Sequence, residues 1–151
     1  MAHLLDKADE FIREALAEAR ASLDEGGIPV GAVLVKDGAI IGRGHNRRVQ
    51  TGDPTAHAEI DCLRNAGRIG SYAGTVLYST LMPCHLCAGA VVQFGIEHIV
   101  AGDSTNFNGA RHYLQDHWVG VEDMEDEECG QILRKYIEQH PAIWNEDIGK
   151  T

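Results

Sequence analysis

The chain has 151 residues, 44% of them apolar, which suits one domain with a sizeable core and excludes a disordered segment. Thirteen Lys and Arg face 23 Asp and Glu, a formal net charge of −10, which repels phosphate backbones and argues against a nucleic-acid partner. No stretch approaches the roughly 20 apolar residues of a membrane span, and the first residues lack the positive start and apolar core of a secretion signal.

In chain order, Ala8, Ile12, Ala15, Leu16, Ala19 and Leu23 recur at helical spacing and predict a helix over 6–24, ended by Gly26-Gly27. Pro29 to Val35 is apolar and rich in β-formers, and Asp37-Gly38 turns it into Ala39 to Gly44, a hairpin. A loop is expected from His45 to Thr55, then a helix from Ala56 to Asn65. Thr75 to Thr80 reads as a strand, and Pro83 suits the first turn of a helix running to Gln93. His98 to Ala101 and Trp118 to Val121 read as short strands around an irregular stretch with Asn106, Phe107 and Asn108. Cys129, Ile132, Leu133, Tyr136 and Ile137 mark an amphipathic helix, which Pro141 breaks before a short tail with Trp144. There is no repeat, low-complexity tract or linker, so residues 1–151 read as a single domain. Strands separated by helices imply crossovers, hence an α/β fold: a three-layer α/β/α sandwich around a mixed five-stranded sheet, with an antiparallel first hairpin.

The chemistry concentrates in His57-Ala58-Glu59 and Pro83-Cys84-His85-Leu86-Cys87. Cys84 and Cys87 are three apart and share a helix face. Two thiolates and one imidazole suit Zn²⁺, and three protein ligands leave the fourth tetrahedral position free for water. Glu59 is placed to move protons between that water and a substrate. This order of residues is the established signature of the zinc-dependent nucleobase deaminases. In that chemistry the zinc makes a bound water acidic and hydroxide attacks a ring carbon bearing an amino group. Glu59 carries protons to the ring nitrogen and the leaving amine. His57 and Glu59 point about 200° apart on a regular helix, so they serve one site only if it lies off the helix end. His85 points about 100° from Cys84 and is expected to be exposed. His45, His98, His112 and His117 lack ligand spacing.

Cys62 and Cys129 fall on apolar helix faces and read as buried reduced thiols, which argues against a disulfide framework and for a reducing, cytoplasmic setting. Arg43, Arg47 and Arg48 form the one noticeable basic cluster, read as a solvated loop.

Beyond these motifs, Glu25-Gly26-Gly27-Ile28-Pro29-Val30-Gly31, Gly42-Arg43-Gly44-His45-Asn46, Asn106-Phe107 and Trp144-Asn145-Glu146-Asp147-Ile148-Gly149 complete a likeness over most of the chain. The sequence resembles the fungal-type cytosine deaminases of the cytidine-deaminase-like superfamily. The resemblance implies hydrolysis of free cytosine to uracil and ammonia, a small nucleobase substrate of pyrimidine salvage, and a homodimer with one zinc per subunit. It implies that Asn46 and the backbone N–H of Ala58 hold the pyrimidine carbonyl, and that Asp147 contacts the amine side. Phe107 and Trp144 would stack on or cap the ring under a C-terminal lid. Met82 stands where the family pattern has Ser, a departure that points beyond strict cytosine specificity to a 5-substituted cytosine or another amino-heterocycle. A guanine deaminase and a tRNA adenosine deaminase share the zinc motif and are the enzymatic alternatives. A structural zinc or redox module would need a fourth ligand or a closed disulfide, and no fourth ligand has suitable spacing.

Overall fold

In the computed structural model, residues 7–151 are described; Asp6, the first residue of the expected opening helix, and the first residues, read as lacking a secretion signal, lie outside them. Helix α1 (Ala8–Asp24) buries Ala8, Phe11, Ile12, Ala15, Leu16 and Ala19 on one stripe, the spacing of a helix with one wet face. Strands β1 (Gly31–Lys36) and β2 (Ala39–His45) form the expected hairpin. Its turn residues Asp37 and Gly38 have φ of 53° and 78°, as a two-residue loop matched to strand twist requires.

Helices α2 (Arg48–Thr51) and α3 (Ala58–Ala66) follow, then β3 (Thr75–Leu81), α4 (His85–Phe94), β4 (His98–Asp103), α5 (Arg111–Asp116), β5 (Gly120–Asp123), α6 (Glu127–Gln139) and α7 (Pro141–Asp147). The five strands lie in the order β2-β1-β3-β4-β5. β1 runs antiparallel to β2 and β3, whereas β3, β4 and β5 are mutually parallel. Parallel neighbours demand crossovers, and α4 and α5 supply them.

Alternation along the strands divides the core in two. Val33, Val35, Val76, Tyr78 and Val100 pack with the stripe of α1 and with Cys129 of α6. Leu34, Leu77 and Ile99 join the other cluster, with Ala58 and Cys62 of α3 and Ala88 and Val91 of α4. The mixed sheet with helices on both sides is thus as expected, and Cys62 and Cys129 are buried and reduced. None of the described helices is long and apolar enough to cross a membrane.

Three short helices and the start of the last strand differ from expectation. α2 interrupts the loop after β2, α5 occupies the stretch after Phe107, and the tail beyond Pro141 is α7 rather than irregular chain. Helices this short have little intrinsic stability and form through tertiary packing, so periodicity does not reveal them. Pro141 opens α7, where its missing N–H costs nothing. The last strand begins at Gly120, not Trp118, because the amides of Trp118 and Val119 close the end of α5 on Gln115 and Leu114. Trp118 adopts φ 65° and is 93% exposed.

Gly44 sets how closely α3 lies on the hairpin. A Cβ there would stand 2.4 Å from the amide nitrogen of Cys62 and 2.7 Å from the carbonyl carbon of Asp61, both backbone. Gly44→Ala should therefore push α3 off β2 and cost about 1–3 kcal/mol, the range for overpacked interiors. An unchanged denaturant midpoint would refute the close approach.

Candidate active site

Two helix starts meet to form the site. His57 is the N-cap of α3 and Cys84 the N-cap of α4, both with extended backbone (φ −71°, ψ 160° and φ −75°, ψ 177°). Their carbonyls accept the first helical bonds, from Asp61 N–H at 2.9 Å and Ala88 N–H at 2.8 Å. A residue at the cap projects over the end of the helix, which is how His57 and Glu59 serve one site despite diverging on a helical wheel. Pro83 precedes the cap instead of sitting inside the first turn.

The Nδ1 atom of His57 lies 3.3 Å from Cys84 Sγ and 3.6 Å from Cys87 Sγ. One ligand atom from each of the three residues falls within 4.8 Å of the others, with no fourth ligand in the group among the described residues. Zn–S bonds of about 2.3 Å and Zn–N bonds of about 2.0–2.1 Å at tetrahedral angles put ligand atoms roughly 3.5–3.8 Å apart, so this set fits Zn²⁺ with one position open. The thiol proton of Cys87, donated to Cys84, outweighs burial and with His57 pulls Cys84 down to about 4. The same contact, with burial, pushes Cys87 well above its ordinary range. Burial works against charge on His57, but Asp147 and Cys84 overcome it and raise it to about 10. A cation takes over the place of the protons these groups otherwise share.

Glu59 follows in the first turn of α3 and is 4% exposed. Burial, and then the negative charge of Cys84, push its carboxyl up to about 7. A cleft in which burial raises a carboxyl is the environment in which acid–base groups are found.

A cavity of about 310 Å³ opens over these groups. His57, Ala58, Glu59, Cys84, Asn46, Phe107, Trp144 and Asp147 all line it, and Cys87 is buried beside them. Ala58 is the first residue of α3, so its N–H has no acceptor within the helix. Asn46 leaves β2 buried; its Oδ1 accepts from Arg48 N–H at 2.9 Å, which leaves the amide NH₂ for a ligand. Phe107 and Trp144 meet edge to face, with centroids 6.0 Å apart at 88°. Met82 is fully buried and also lines the cavity. His85 is exposed, as expected, and stands at the rim.

Asp147 holds a position that spacing did not suggest. Its Oδ1 lies 3.1 Å from His57 Nε2 and 3.6 Å from Arg48 Nη1, yet it is buried without an aligned hydrogen-bond donor. It thus backs the nitrogen of His57 that faces away from the sulfurs, the arrangement that orients metal-bound histidines, and keeps acceptor capacity toward the cavity.

The three arginines read as a solvated cluster are instead engaged with carboxylates. Arg43 pairs with Glu14 and Glu18, Arg47 with Asp61, and Arg48 with Glu146 at 3.0 Å. Arg48 and Glu146 are 98 positions apart in the chain, so no local signal joins them.

A protein-family model for the cytidine and deoxycytidylate deaminase zinc-binding region matches residues 5–103. The chain is similar to a cytosine deaminase of Candida albicans, 38% identical over 142 residues that span 92% of the chain and 95% of that protein. Among solved structures, one from work on A-to-I editing by tRNA:A34 deaminases superposes with a TM-score of 0.72 at 34% identity, over 83% of this chain and 99% of that one. The guanine deaminase of Bacillus subtilis superposes with a TM-score of 0.57 at 36% identity, over 62% of each chain. With the two capped helix starts and the His/Cys/Cys set already in place, these likenesses establish that the chain belongs to the zinc-binding cytidine and deoxycytidylate deaminase family.

Proposed function

We propose that this deaminase acts on free cytosine, yielding uracil and ammonia. One observation carries the reading: a single cavity presents spare donors on Asn46 and Ala58 and the carboxylate of Asp147, whose Oδ1 lies 3.1 Å from His57 Nε2, with Glu59 beside them. A cytosine ring offers a carbonyl for the donors and an exocyclic amine for the acceptor. The likeness to the Candida albicans cytosine deaminase, which runs almost the full length of both chains, supports the same substrate.

His57, Cys84 and Cys87 would hold Zn²⁺, which when bound supplies the Lewis acidity that makes water a nucleophile near neutral pH. Glu59 takes a proton from the attacking water and gives it to ring N3 as the C4–O bond forms. It then takes the remaining hydroxyl proton and gives it to the amine as the C4–N bond breaks, so water and cytosine balance uracil and ammonia. Phe107 and Trp144 pack as a wall of the cavity and exclude solvent from the reacting carbon. α7 supplies Trp144 and Asp147 to the cavity wall, which favours a free base over a nucleoside.

The relatives leave two other substrates open. A polynucleotide needs phosphate contacts, whereas the chain carries −10 and its basic cluster is tied to carboxylates. Ultraviolet assays with cytosine, 5-methylcytosine, cytidine, guanine and a tRNA anticodon stem–loop decide between them. Cytosine turnover with none on the stem–loop is expected; turnover of guanine or tRNA adenosine alone would replace the proposal. We propose in addition a homodimer with one zinc per chain, checked by light scattering.

Elemental analysis should find about one zinc per chain, the content a three-ligand open site implies. Chelation should remove turnover and added Zn²⁺ restore it; full activity in metal-free protein would end the mechanism.

Glu59→Gln should retain zinc and fold while kcat falls by at least the 10²–10⁴-fold typical of an acid–base group. Retention of more than about a tenth of the wild-type rate would require another base.

Asp147→Ala should weaken zinc binding about 10–100-fold, as loss of a histidine's backing carboxylate does. Competition with a chromophoric chelator measures this. Cytosine kcat/KM should stay depressed even with zinc saturating, because the amine has lost its acceptor; full recovery with added zinc would confine Asp147 to the metal.

A further inference from the structure

A second ionic cluster, centred on the buried His45, lies where β2 meets α1, away from the metal ligands. His45 is 5% exposed, and both its ring nitrogens face carboxylates: Nδ1 is 2.8 Å from Glu18 Oε1 and Nε2 is 2.9 Å from Glu25 Oε1. A neutral imidazole has one N–H and one lone pair. One of these contacts would then set a lone pair against an anionic oxygen at hydrogen-bond distance, a repulsive contact on a ring that is itself buried. Two ring protons make both contacts charge-assisted donations.

The surrounding charges agree. Arg43 pairs with Glu14 at 3.0 Å and Glu18 at 2.6 Å. Arg47 lies 3.8 Å from Glu25 and 3.1 Å from Asp61. Asp61, on α3, also accepts the backbone N–H of His45 at 3.0 Å and stands 3.9 Å from Arg64. Four carboxylates thus meet three guanidiniums, and a positive His45 completes the balance. The His45 hydrogen bond holds the Glu25 carboxyl below its usual range. Burial pushes the Glu18 carboxyl up, but His45 and Arg43 outweigh it and hold it low as well.

The cluster closes on the next residue. Gln50 Nε2 donates to Glu25 Oε1 at 3.2 Å and to the backbone oxygen of Asn46 at 2.9 Å. Ser22 Oγ reaches the same oxygen at 2.7 Å, and Asn46 N–H bonds Val30 at 3.0 Å. A ring of contacts therefore runs His45–Glu25–Gln50–Asn46 and returns through the peptide bond.

We propose that His45 is held as an imidazolium between Glu18 and Glu25, and that this clamp is the positioning device for Asn46, the donor to the carbonyl of the base. The inference rests on the role given to Asn46 above. It makes His45 a positioning residue: it touches no substrate and acts through its neighbour's backbone.

The test uses zinc-loaded full-length protein, with Glu25→Gln as the principal variant because Glu25 is half-exposed and Gln keeps the hydrogen-bonding shape. His45→Gln assigns the ring signals by their loss. Ring-nitrogen NMR at neutral pH should show two protonated nitrogens on His45 in the wild type and one in Glu25→Gln. Calorimetry with 2-hydroxypyrimidine, a cytosine lacking the amine, should show binding weakened on the order of tenfold in Glu25→Gln, the scale of a lost charge-assisted contact. KM for cytosine should rise in step while kcat and zinc content hold. A single ring proton in wild-type His45, or wild-type probe affinity in Glu25→Gln, overturns the clamp. Failure of the wild type to bind the probe overturns instead the reading of the cavity as a cytosine site, and the role of the clamp with it, while the NMR result still reports the protonation.

Discussion

Two helix N-termini that meet around one cavity govern this molecule. Each helix start carries unpaired N–H groups and a partial positive charge, and each has a metal-ligand residue at its N-cap position, His57 on α3 and Cys84 on α4. That environment favours thiolate at Cys84 and holds Ala58 N–H free for a ligand. Neither helix could deliver the site alone. Register between them comes from the strands they follow, with Gly44 letting α3 lie against β2 and β3 running directly into Leu81–Cys84.

Electrostatics is arranged in two tiers. Around the metal ligands the charges are few and buried, and they shift one another's proton affinity: a low Cys84, a raised Glu59 and an Asp147 that leans on His57. Around the hairpin they are many and cross-linked, tying α1, β2 and α3 together through Arg43, His45, Arg47 and their carboxylates. The first tier is chemistry and the second is scaffold. Their junction is the peptide between His45 and Asn46, where a scaffold residue is covalently joined to one that lines the cavity. Within that scaffold Arg43, Arg47 and Arg48 are each paired with carboxylates.

The last helix completes the enclosure. Trp144 is buried in the same apolar cluster as Leu77 and Ile99 and meets Phe107 edge to face, so α7 is anchored by the core rather than laid on the surface. Arg48 bonds both Glu146 and the carbonyl of Pro54, linking that helix to the loop after β2. The far wall of the cavity is thus built from segments that are distant in sequence and short in themselves.

What the sequence determined by itself was what depends on local spacing and side-chain chemistry. The hairpin at Asp37-Gly38, the helix faces, the layered α/β order and the His57, Glu59, Cys84 and Cys87 set were legible because turn stereochemistry, periodicity and ligand softness are properties of neighbouring residues. The likeness of Asn46, Phe107, Trp144 and Asp147 to a known family marked them as cavity residues; nothing in their own spacing did. Only the tertiary structure decided that α2, α5 and α7 are helices, since segments of four to seven residues are stabilised by what they pack against. It alone placed Asp147 behind His57, tied Arg48 to Glu146 and set both nitrogens of His45 against carboxylates. Those are pairings across long chain separations, and charge pairing leaves no periodic trace in a sequence: any of 23 acidic residues could have met any arginine until the fold chose.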